Sequence, residues 1–410
     1  MAGHYIDMKA GDGSGGFRGY MAVPASGKGP GLVVAQEIFG INKTMRDVAD
    51  YYAEEGYVVL VPDLFWRQEP NVDINYTPAD WQKAFGYFQG FDVDKGMQDM
   101  QTAITTLRGR AEVTGGKVGV LGFCLGGKLA YLSACRTDAD VSVGYYGVGI
   151  DAVLDEADKI KKPLMLHIAE LDKFCPPEAR AKIVQTLQGR THIALHVYPG
   201  VDHAFARAGG EHYDRPSALM AHQRTIATLK AAMGPHFDLS ALWDKHCEYE
   251  FGTRNVDDTM STMVPEPYVN HIPTMTGGVG FKELHRFYSN HFVNSNPPDT
   301  TLTSISRTVG ATQVVDELLF KFTHTTEIPW MLPGIKPTGK RVEVPLIAII
   351  KFRGDKLYHE HIYWDQASVL VQVGLIDPKL LPTAGIETGR KLLDESLPSN
   401  TMMPGWKASA

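Results

Sequence analysis

Residues 117–127, Lys-Val-Gly-Val-Leu-Gly-Phe-Cys-Leu-Gly-Gly, contain the features that decide the fold. The apolar run at 117–123 predicts a strand that is buried on both faces, and the residues after it predict a helix. Glycines on both sides of Cys124 allow the sharp turn that presents a nucleophile between a strand and a helix. The start of a helix also carries partial positive charge, which favours a thiolate over a thiol. A buried structural cysteine in a glycine-rich turn is the alternative interpretation.

Similar apolar runs recur through the first two-thirds of the chain. Strands are predicted at 31–38, 58–62, 117–123, 141–147, 163–168 and 193–198. Amphipathic helical patterns separate them at 43–56, 94–110, 176–188 and 216–233. Strands that alternate with helices predict an α/β domain, in which a mostly parallel sheet is covered by helices on both faces.

The pattern changes after about residue 235. Helices are predicted at 239–251 and 279–292, and strands follow at 312–324, 341–353 and 357–365. Helices first and strands later are typical of an α+β domain. The sequence therefore predicts two domains, 1–235 and 239–410, and the second ends in a tail that contains several Pro and Gly residues.

The composition narrows the class of protein. The 410 residues carry a formal net charge of −7 and show no basic cluster, which argues against a nucleic-acid partner. The four cysteines are too few for a disulfide framework and lack close metal-ligand spacing. No signal peptide and no membrane-spanning apolar run are visible, so we expect a cytoplasmic protein without a membrane partner.

Two later loops supply candidate partners for Cys124. Asp172 follows the predicted strand at 163–168, where a carboxylate can orient an imidazole, and Glu170 is a competing candidate. His203 lies in the loop after the predicted strand at 193–198. The chain order nucleophile, acid, histidine is that of α/β-hydrolases, so these residues predict a Cys-His-Asp triad. The alternative is that the acid and the histidine are solvated loop residues.

Five segments in this region resemble the dienelactone hydrolase (carboxymethylenebutenolidase) family. They are Gln-Glu-Ile-Phe-Gly at 36–40, Val-Pro-Asp-Leu-Phe at 61–65, Gly-Phe-Cys-Leu-Gly-Gly at 122–127, Gly-Tyr-Tyr-Gly-Val-Gly at 144–149 and His-Ala-Phe-Ala-Arg at 203–207. The resemblance covers about residues 5–232. It implies an α/β-hydrolase fold and a triad formed by Cys124, His203 and Asp172.

The resemblance also implies roles for residues around the nucleophile. Glu37 is expected to contact the resting thiol and to help generate the thiolate when substrate binds. Its position at the end of an apolar strand fits this role, because a charge there is costly without a purpose, although a strand-end acid can simply reach solvent. The backbone N–H groups of Ile38 and Leu125 are the expected oxyanion donors.

The substrate pocket departs from the family pattern. Family members hold a substrate carboxylate with two arginines, of which Arg207 matches one, whereas Trp81 stands at the position of the other. Phe85 replaces a family tyrosine, and Ala204 replaces a serine. Together with Tyr146, these residues predict a pocket that is more apolar and less basic than usual, because packing does not replace a bidentate arginine.

Residues 240–375 resemble the SnoaL-like polyketide cyclase family, within the nuclear-transport-factor-2-like (NTF2-like) cone fold. The segments are Leu-Trp-Asp-Lys-His at 242–246, Thr-Arg-Asn-Val-Asp at 253–257, Val-Asn-His-Ile-Pro-Thr-Met-Thr-Gly-Gly at 269–278, Phe-Tyr-Ser-Asn-His-Phe at 287–292 and His-Ile-Tyr-Trp-Asp-Gln at 361–366. The resemblance implies a curved sheet and helices around an apolar pocket. It does not imply one activity, because this fold supports enzymes, binding modules and dimerisation domains.

Alternation along 357–365 places His359, His361 and Asp365 on one face of the strand. Asp365 matches a cyclase position that transfers protons, and His361 is a second candidate acid/base group. His246, His271 and His324 are further pocket candidates. The His-x-His spacing is too weak to predict a metal, so neither a metal nor another cofactor is expected.

Three hypotheses follow. The first is a cysteine-dependent hydrolase that cleaves a small-molecule ester or lactone. The second is an isomerase or cyclase that acts by proton transfer through Asp365 in the second domain. The third is that the second domain binds or dimerises without catalysis, which leaves a homodimer open. The natural substrate, any cooperation between the pockets and the oligomeric state are not predicted.

Overall fold

The computed structural model describes residues 3–409. The chain divides into two compact units, of which the first ends at His236 and the second begins at Phe237. No helix among the described residues combines the length and the apolar character needed to cross a membrane.

The first unit contains an eight-stranded mixed sheet. Its strands are β1 (His4–Lys9), β2 (Gly16–Ala22), β3 (Gly29–Ala35), β4 (Val58–Pro62), β5 (Val113–Phe123), β6 (Val141–Tyr145), β7 (Leu164–Ala169) and β8 (Ile193–Tyr198). They lie in the order β1-β2-β4-β3-β5-β6-β7-β8. Strands β3 to β8 pair in parallel, whereas β1 and β2 form an antiparallel edge. The carboxyl ends of the parallel strands therefore share one edge of the sheet.

Six helices cover this sheet. They are α1 (Lys43–Glu54), α2 (Pro78–Gln89), α3 (Val93–Arg108), α4 (Leu125–Arg136), α5 (Pro177–Leu187) and α6 (Arg215–Met233). Side-chain caps fix several of their starts, and the Asp92 carboxylate, for example, accepts the N–H groups of Asp94 and Lys95 at the start of α3. Strands β3, β4 and β6 are buried at every position, as strands covered on both faces are.

The sequence predictions for this unit are confirmed at all six strands and all four helices, with ends that differ by a few residues. The sequence did not predict β1, β2 or α2. Strands β1 and β2 pair antiparallel at the edge of the sheet, and β1 is mostly exposed, so neither carries a continuous apolar run.

The second unit contains a six-stranded sheet in the order β10-β9-β14-β13-β12-β11. The strands are β9 (Met263–His271), β10 (Thr276–Val279), β11 (Thr301–Val309), β12 (Gln313–Thr323), β13 (Arg341–Arg353) and β14 (Lys356–Trp364). All pairs are antiparallel except β14 with β9. Burial alternates strictly along β13, so one face of the sheet packs on a core.

Five helices accompany this sheet. They are α7 (Leu239–Cys247), α8 (Val256–Ser261), α9 (Gly280–Phe287), α10 (Gln366–Gln372) and α11 (Glu387–Leu393). Helices α7 and α9 each continue into a short π-helical turn, Glu248–Gly252 and Tyr288–Phe292, so the two predicted helices are confirmed in extent. The core between helices and sheet is rich in aromatic side chains, among them Trp243, Phe320 and Trp330.

Candidate active site

The turn at Cys124 joins β5 to α4 in a strained conformation. Cys124 has φ 57° and ψ −114°, an unusual conformation for a residue with a side chain, which costs of order 1–3 kcal/mol. The glycines on either side permit it, because a Cβ on Gly122 would lie 1.9 Å from the Gly126 carbonyl oxygen. The surrounding fold thus holds the thiol at the carboxyl end of a central strand, at the start of a helix.

Of the two acids that could orient His203, Asp172 is the one that contacts it. Asp172 Oδ2 accepts a hydrogen bond from His203 Nδ1 at 2.8 Å, and Asp172 is almost fully buried. Its other oxygen accepts the Phe174 backbone N–H at 2.8 Å. The competing Glu170 instead accepts the backbone N–H of Gly200 at 2.8 Å, so it fastens two loops together.

The environment of His203 favours its protonated form. Burial alone would lower its pKa, but the Cys124 sulfur and the Asp172 carboxylate outweigh burial and raise the pKa of His203 to about 10. Hydrogen bonds to both residues contribute to the rise. The imidazole therefore lies between a thiol and a carboxylate, and the arrangement stabilises a positive charge on the ring.

Glu37 is buried and makes an ion pair inside the pocket. Its Oε2 accepts hydrogen bonds from Arg207 Nη1 at 3.2 Å and from the Tyr76 hydroxyl at 3.1 Å. The Arg207 guanidinium also lies over the Tyr76 ring, 4.1 Å from its centroid. Arg207 Nε is buried without a hydrogen-bond partner among residues 3–409.

Leu125 and Ile38 carry the two N–H groups that are predicted to stabilise the oxyanion. Leu125 is the first residue of α4, and helix geometry leaves its N–H without an intrahelical acceptor. Ile38 follows Glu37 beyond the end of β3 and lines the same pocket as Cys124, whereas Leu125 is not in the lining. The oxyanion role of the two residues stays a prediction.

The pocket has an empty volume of about 390 Å³, part of which is open to solvent, and its walls are mostly aromatic. Its lining residues are Glu37, Ile38, Phe39, Trp81, Phe85, Phe88, Cys124, Val148, Phe174, His203 and Arg207. Trp81 and Phe85 thus line the pocket in contact with each other, with ring centroids 5.7 Å apart. Tyr146 is not in the lining but packs edge-on against His203, with the ring centroids 5.0 Å apart.

The second unit has a separate cavity with an empty volume of about 420 Å³, again partly open to solvent. Three buried titratable side chains meet beside it: His246, Glu250 and Glu360. Burial lowers the pKa of His246, but the two carboxylates outweigh it and raise that pKa to about 10. His271 also lines the cavity, where burial lowers the pKa of its imidazole to about 4.

Two predicted cavity residues lie elsewhere. Asp365 is exposed and caps α10, where its side chain accepts the Ser368 backbone N–H at 3.1 Å. His361 points to the opposite face of β14 from the buried Glu360, and its ring stacks on His359 at 4.6 Å. The alternation along the strand was predicted correctly, but the face assigned to the pocket was the wrong one.

His324 is fully buried outside the cavity lining. Its Nδ1 accepts the Thr338 backbone N–H at 3.3 Å. Of the second-unit candidates, His271 lines the cavity, whereas His246 lies behind the lining and contacts Glu250 and Glu360 there.

Three residues that the sequence did not single out belong to these sites. Tyr76, which holds Glu37 and Arg207, lies in an irregular segment that has no sequence signal. Glu250 follows His246 by four residues on the same helical turn, and Glu360 lies on an otherwise apolar strand face beside Ile362. A glutamate on an apolar strand face could have indicated a site from the sequence alone, because a buried charge requires a partner.

A mostly parallel sheet with a strained cysteine turn at the carboxyl end of a central strand defines an α/β-hydrolase. The model of the dienelactone hydrolase family matches residues 17–233, and the chain belongs to that family. This membership makes the chain a hydrolase of the lactone and ester class.

Individual relatives match the same region. "Putative carboxymethylenebutenolidase" of Azospirillum brasilense is 47% identical over 234 residues, which are 99% of that protein and 56% of this chain. "Carboxymethylenebutenolidase 1" of Cupriavidus pinatubonensis is 35% identical over 224 residues, 95% of its length and 54% of this chain. A crystal structure titled "Putative Dienelactone Hydrolase" from Klebsiella pneumoniae is 24% identical with a TM-score of 0.49, and covers 56% of this chain and 98% of its own.

Proposed function

We propose that the first unit hydrolyses an ester or enol-lactone through a Cys-His-Asp triad formed by Cys124, His203 and Asp172. The observation that carries the proposal is the position of His203, which shares a pocket with Cys124 and donates a hydrogen bond from Nδ1 to the buried Asp172 carboxylate. That arrangement is the one required for an imidazole that activates a nucleophile and is itself held by an acid.

The reaction proceeds in two steps. The Cys124 thiolate attacks the carbonyl carbon, and the N–H groups of Ile38 and Leu125 stabilise the oxyanion of the tetrahedral intermediate. Protonated His203 gives its proton to the leaving oxygen, which leaves a thioester on Cys124. Neutral His203 then takes a proton from water, whose oxygen attacks the thioester and releases the acid.

Glu37 and Arg207 indicate the charge of the substrate. Arg207 has one buried donor without a partner, so a substrate carboxylate that binds there gains a hydrogen bond and competes with Glu37 for the guanidinium. Released from Arg207, Glu37 becomes available as a base near the thiol. Because Trp81 and Phe85 form part of the apolar wall, the substrate has an apolar body and a carboxylate that is held by one arginine rather than two.

We further propose that the second unit has the SnoaL-like cone architecture. Its six-stranded sheet with one buried face, and the aromatic cavity beneath the helices, support this assignment. A proton-transfer function that depends on Asp365 is not supported, because that side chain caps a helix at the surface.

The test compares hydrolysis of p-nitrophenyl acetate and of a simple enol-lactone by wild type and Cys124→Ala. We expect kcat to fall by at least about 1,000-fold in the variant, because the nucleophile is lost. Cys135→Ser is the matched control, since Cys135 lies in α4 outside the pocket lining and is expected to keep the wild-type rate. Wild-type rates in a folded Cys124→Ala variant refute the proposal. A thioester adduct seen by mass spectrometry on wild type alone supports it.

A further inference from the structure

Three buried side chains from separate elements converge on one point in the second unit. His246 comes from α7, Glu250 from the π-helical turn that follows, and Glu360 from β14. His246 Nε2 lies 3.1 Å from Glu250 Oε1 and 3.2 Å from Glu360 Oε1. The three candidate ligand atoms all lie within 4.8 Å of one another. Two carboxylate oxygens therefore face the same imidazole nitrogen.

The hydrogen bonds of Thr262 show that the other ring nitrogen of His246, Nδ1, carries a proton. Thr262 Oγ1 donates its own hydrogen to the Thr259 carbonyl at 2.6 Å. His246 Nδ1 lies 2.6 Å from the same hydroxyl oxygen, so Nδ1 must be the donor of that hydrogen bond. Nε2 is consequently the nitrogen that faces the carboxylates, and it can bind a metal ion in place of a proton. Histidines that bind metals are commonly oriented in this way through their second nitrogen.

The cluster leaves polar atoms without hydrogen-bond partners. Among residues 3–409, Glu360 Oε1 and the Tyr288 hydroxyl are buried and make no hydrogen bond of good geometry. Glu360 and Tyr288 are 3% and 1% exposed, and both line the cavity. A single hydrogen on Nε2 can point to only one carboxylate, so a proton alone cannot satisfy both. A buried polar atom without a partner destabilises the folded chain, whereas a bound ligand would satisfy it.

We propose that His246, Glu250 and Glu360 bind a divalent transition-metal ion. A dication balances two carboxylates around a neutral imidazole, whereas even a protonated imidazole balances only one of the two. Nitrogen and carboxylate ligands lie about 2.0–2.2 Å from such ions, which puts neighbouring ligand atoms about 3.0–3.5 Å apart. The separations of 3.1 and 3.2 Å at Nε2 fit that geometry.

The ligand set also indicates the type of ion and its accessibility. One imidazole nitrogen with two carboxylate oxygens suits Zn²⁺, Mn²⁺ or Fe²⁺ better than soft, thiolate-seeking ions. Three protein ligands leave at least one coordination position, which faces the cavity and the Tyr288 hydroxyl. The bound ion would therefore be open to a small oxygen ligand in an aromatic pocket. This site goes beyond the proposed hydrolase, which uses none of these residues.

The test titrates Zn²⁺ into the full chain by calorimetry, with the zinc content measured after dialysis. A Cys124→Ala background removes the pocket thiol of the first unit as a competing ligand. We expect one tight site per chain, weakened at least ten-fold by Glu360→Gln and by Glu250→Gln. Both substitutions keep the side-chain shape but remove a ligand charge.

The matched control is His285→Ala. His285 Nε2 lies 3.1 Å from Asp257 Oδ1 in an exposed pair outside the cavity, so Zn²⁺ affinity is expected to stay unchanged. Absence of a site tighter than about 100 µM in the parent, or a site that survives both glutamine substitutions, overturns the proposal. If circular dichroism shows that either glutamine variant is unfolded, X-ray absorption on the zinc-loaded parent replaces the comparison. Nitrogen and oxygen ligands around the zinc then support the site, and sulfur ligands refute it. Ester hydrolysis by Glu360→Gln with Cys124 restored is expected at the wild-type rate, so the two proposals fail independently.

Discussion

Replacing Asp172 by asparagine is expected to reverse the hydrogen bond that orients His203. Asp172 Oδ1 accepts the Phe174 backbone N–H, and Oδ2 accepts His203 Nδ1, each at 2.8 Å. In Asp172→Asn the amide oxygen remains on the Phe174 N–H, because an NH₂ group cannot accept that bond. The NH₂ group then faces Nδ1 and donates to it, which forces the ring proton onto Nε2. The nitrogen that should take the proton from the thiol is thereby blocked.

The size of the effect follows from the charge that Asp172 stabilises. The pKa of His203 rises from its ordinary 6.5 to about 10 in spite of burial. One pKa unit is worth about 1.4 kcal/mol, so the imidazolium gains about 5 kcal/mol from Cys124 and Asp172 together. If Asp172 supplies half, its loss corresponds to about a 60-fold change. The reversed tautomer of His203 lowers the rate further than the loss of charge alone, and we expect kcat to fall about 1,000-fold in total.

The assay is steady-state ester hydrolysis with kcat and KM determined separately, beside thermal unfolding of each variant. KM is expected to change little, because Asp172 does not line the pocket. Glu170→Gln is the matched control from the same loop and should keep wild-type kcat, since the Glu170 carboxylate accepts the Gly200 backbone N–H and does not line the pocket. A folded Asp172→Asn enzyme that retains more than a tenth of kcat would show that this carboxylate does not control the proton of His203.

Two further predictions concern stability. Because the pKa of His203 is raised in the folded chain, its contribution to the free energy of unfolding is fully present below about pH 6.5 and lost as the pH rises through about 10. The difference in urea stability between wild type and His203→Gln should therefore shrink from pH 6 to pH 10, and a constant difference would contradict the assignment. Gly126→Ala would place a Cβ 2.2 Å from the Ala35 carbonyl oxygen and should lower the free energy of unfolding by about 1–3 kcal/mol or more. Gly86→Ala, in an exposed and open helical position, should raise it by up to about 1 kcal/mol, and equal effects of the two changes would refute the steric argument.

The parallel strands of the first sheet could be predicted from the sequence, because a strand that is buried on both faces consists of a continuous run of apolar residues. Strands at the edges carry no such signal. In the second unit, β11 exposes most of its positions, and β9 contains two prolines that argue against a strand. Their pairing depends on partners elsewhere in the chain, which no local pattern encodes.

The pocket around Cys124 could be predicted further than the cavity of the second unit, again because local sequence patterns reveal only local contacts. The Cys124 turn is marked by a short run of sequence, because the glycines that allow close backbone contacts with the turn itself and with β3 and β6 all lie within residues 122–127. The order of Asp172 and His203 along the chain then narrowed the remaining choice. Glu360 meets His246 only through the register of β14 with the sheet, so its role required the structure. Tyr76 is similar, since its contact with Arg207 joins two distant loops.

The ion pair between Glu37 and Arg207 means that a bound carboxylate must compete with a carboxylate of the protein itself. Glu37 is a carboxylate tethered beside the guanidinium, so its local concentration there far exceeds that of any free metabolite. A simple anion such as acetate or citrate must compete with this tethered carboxylate for Arg207, so we expect simple acids to be poor inhibitors. A ligand that also packs against Trp81 and Phe85 is expected to displace Glu37 more readily. On the proposed function, the apolar group attached to a carboxylate would therefore determine its binding more than its charge does.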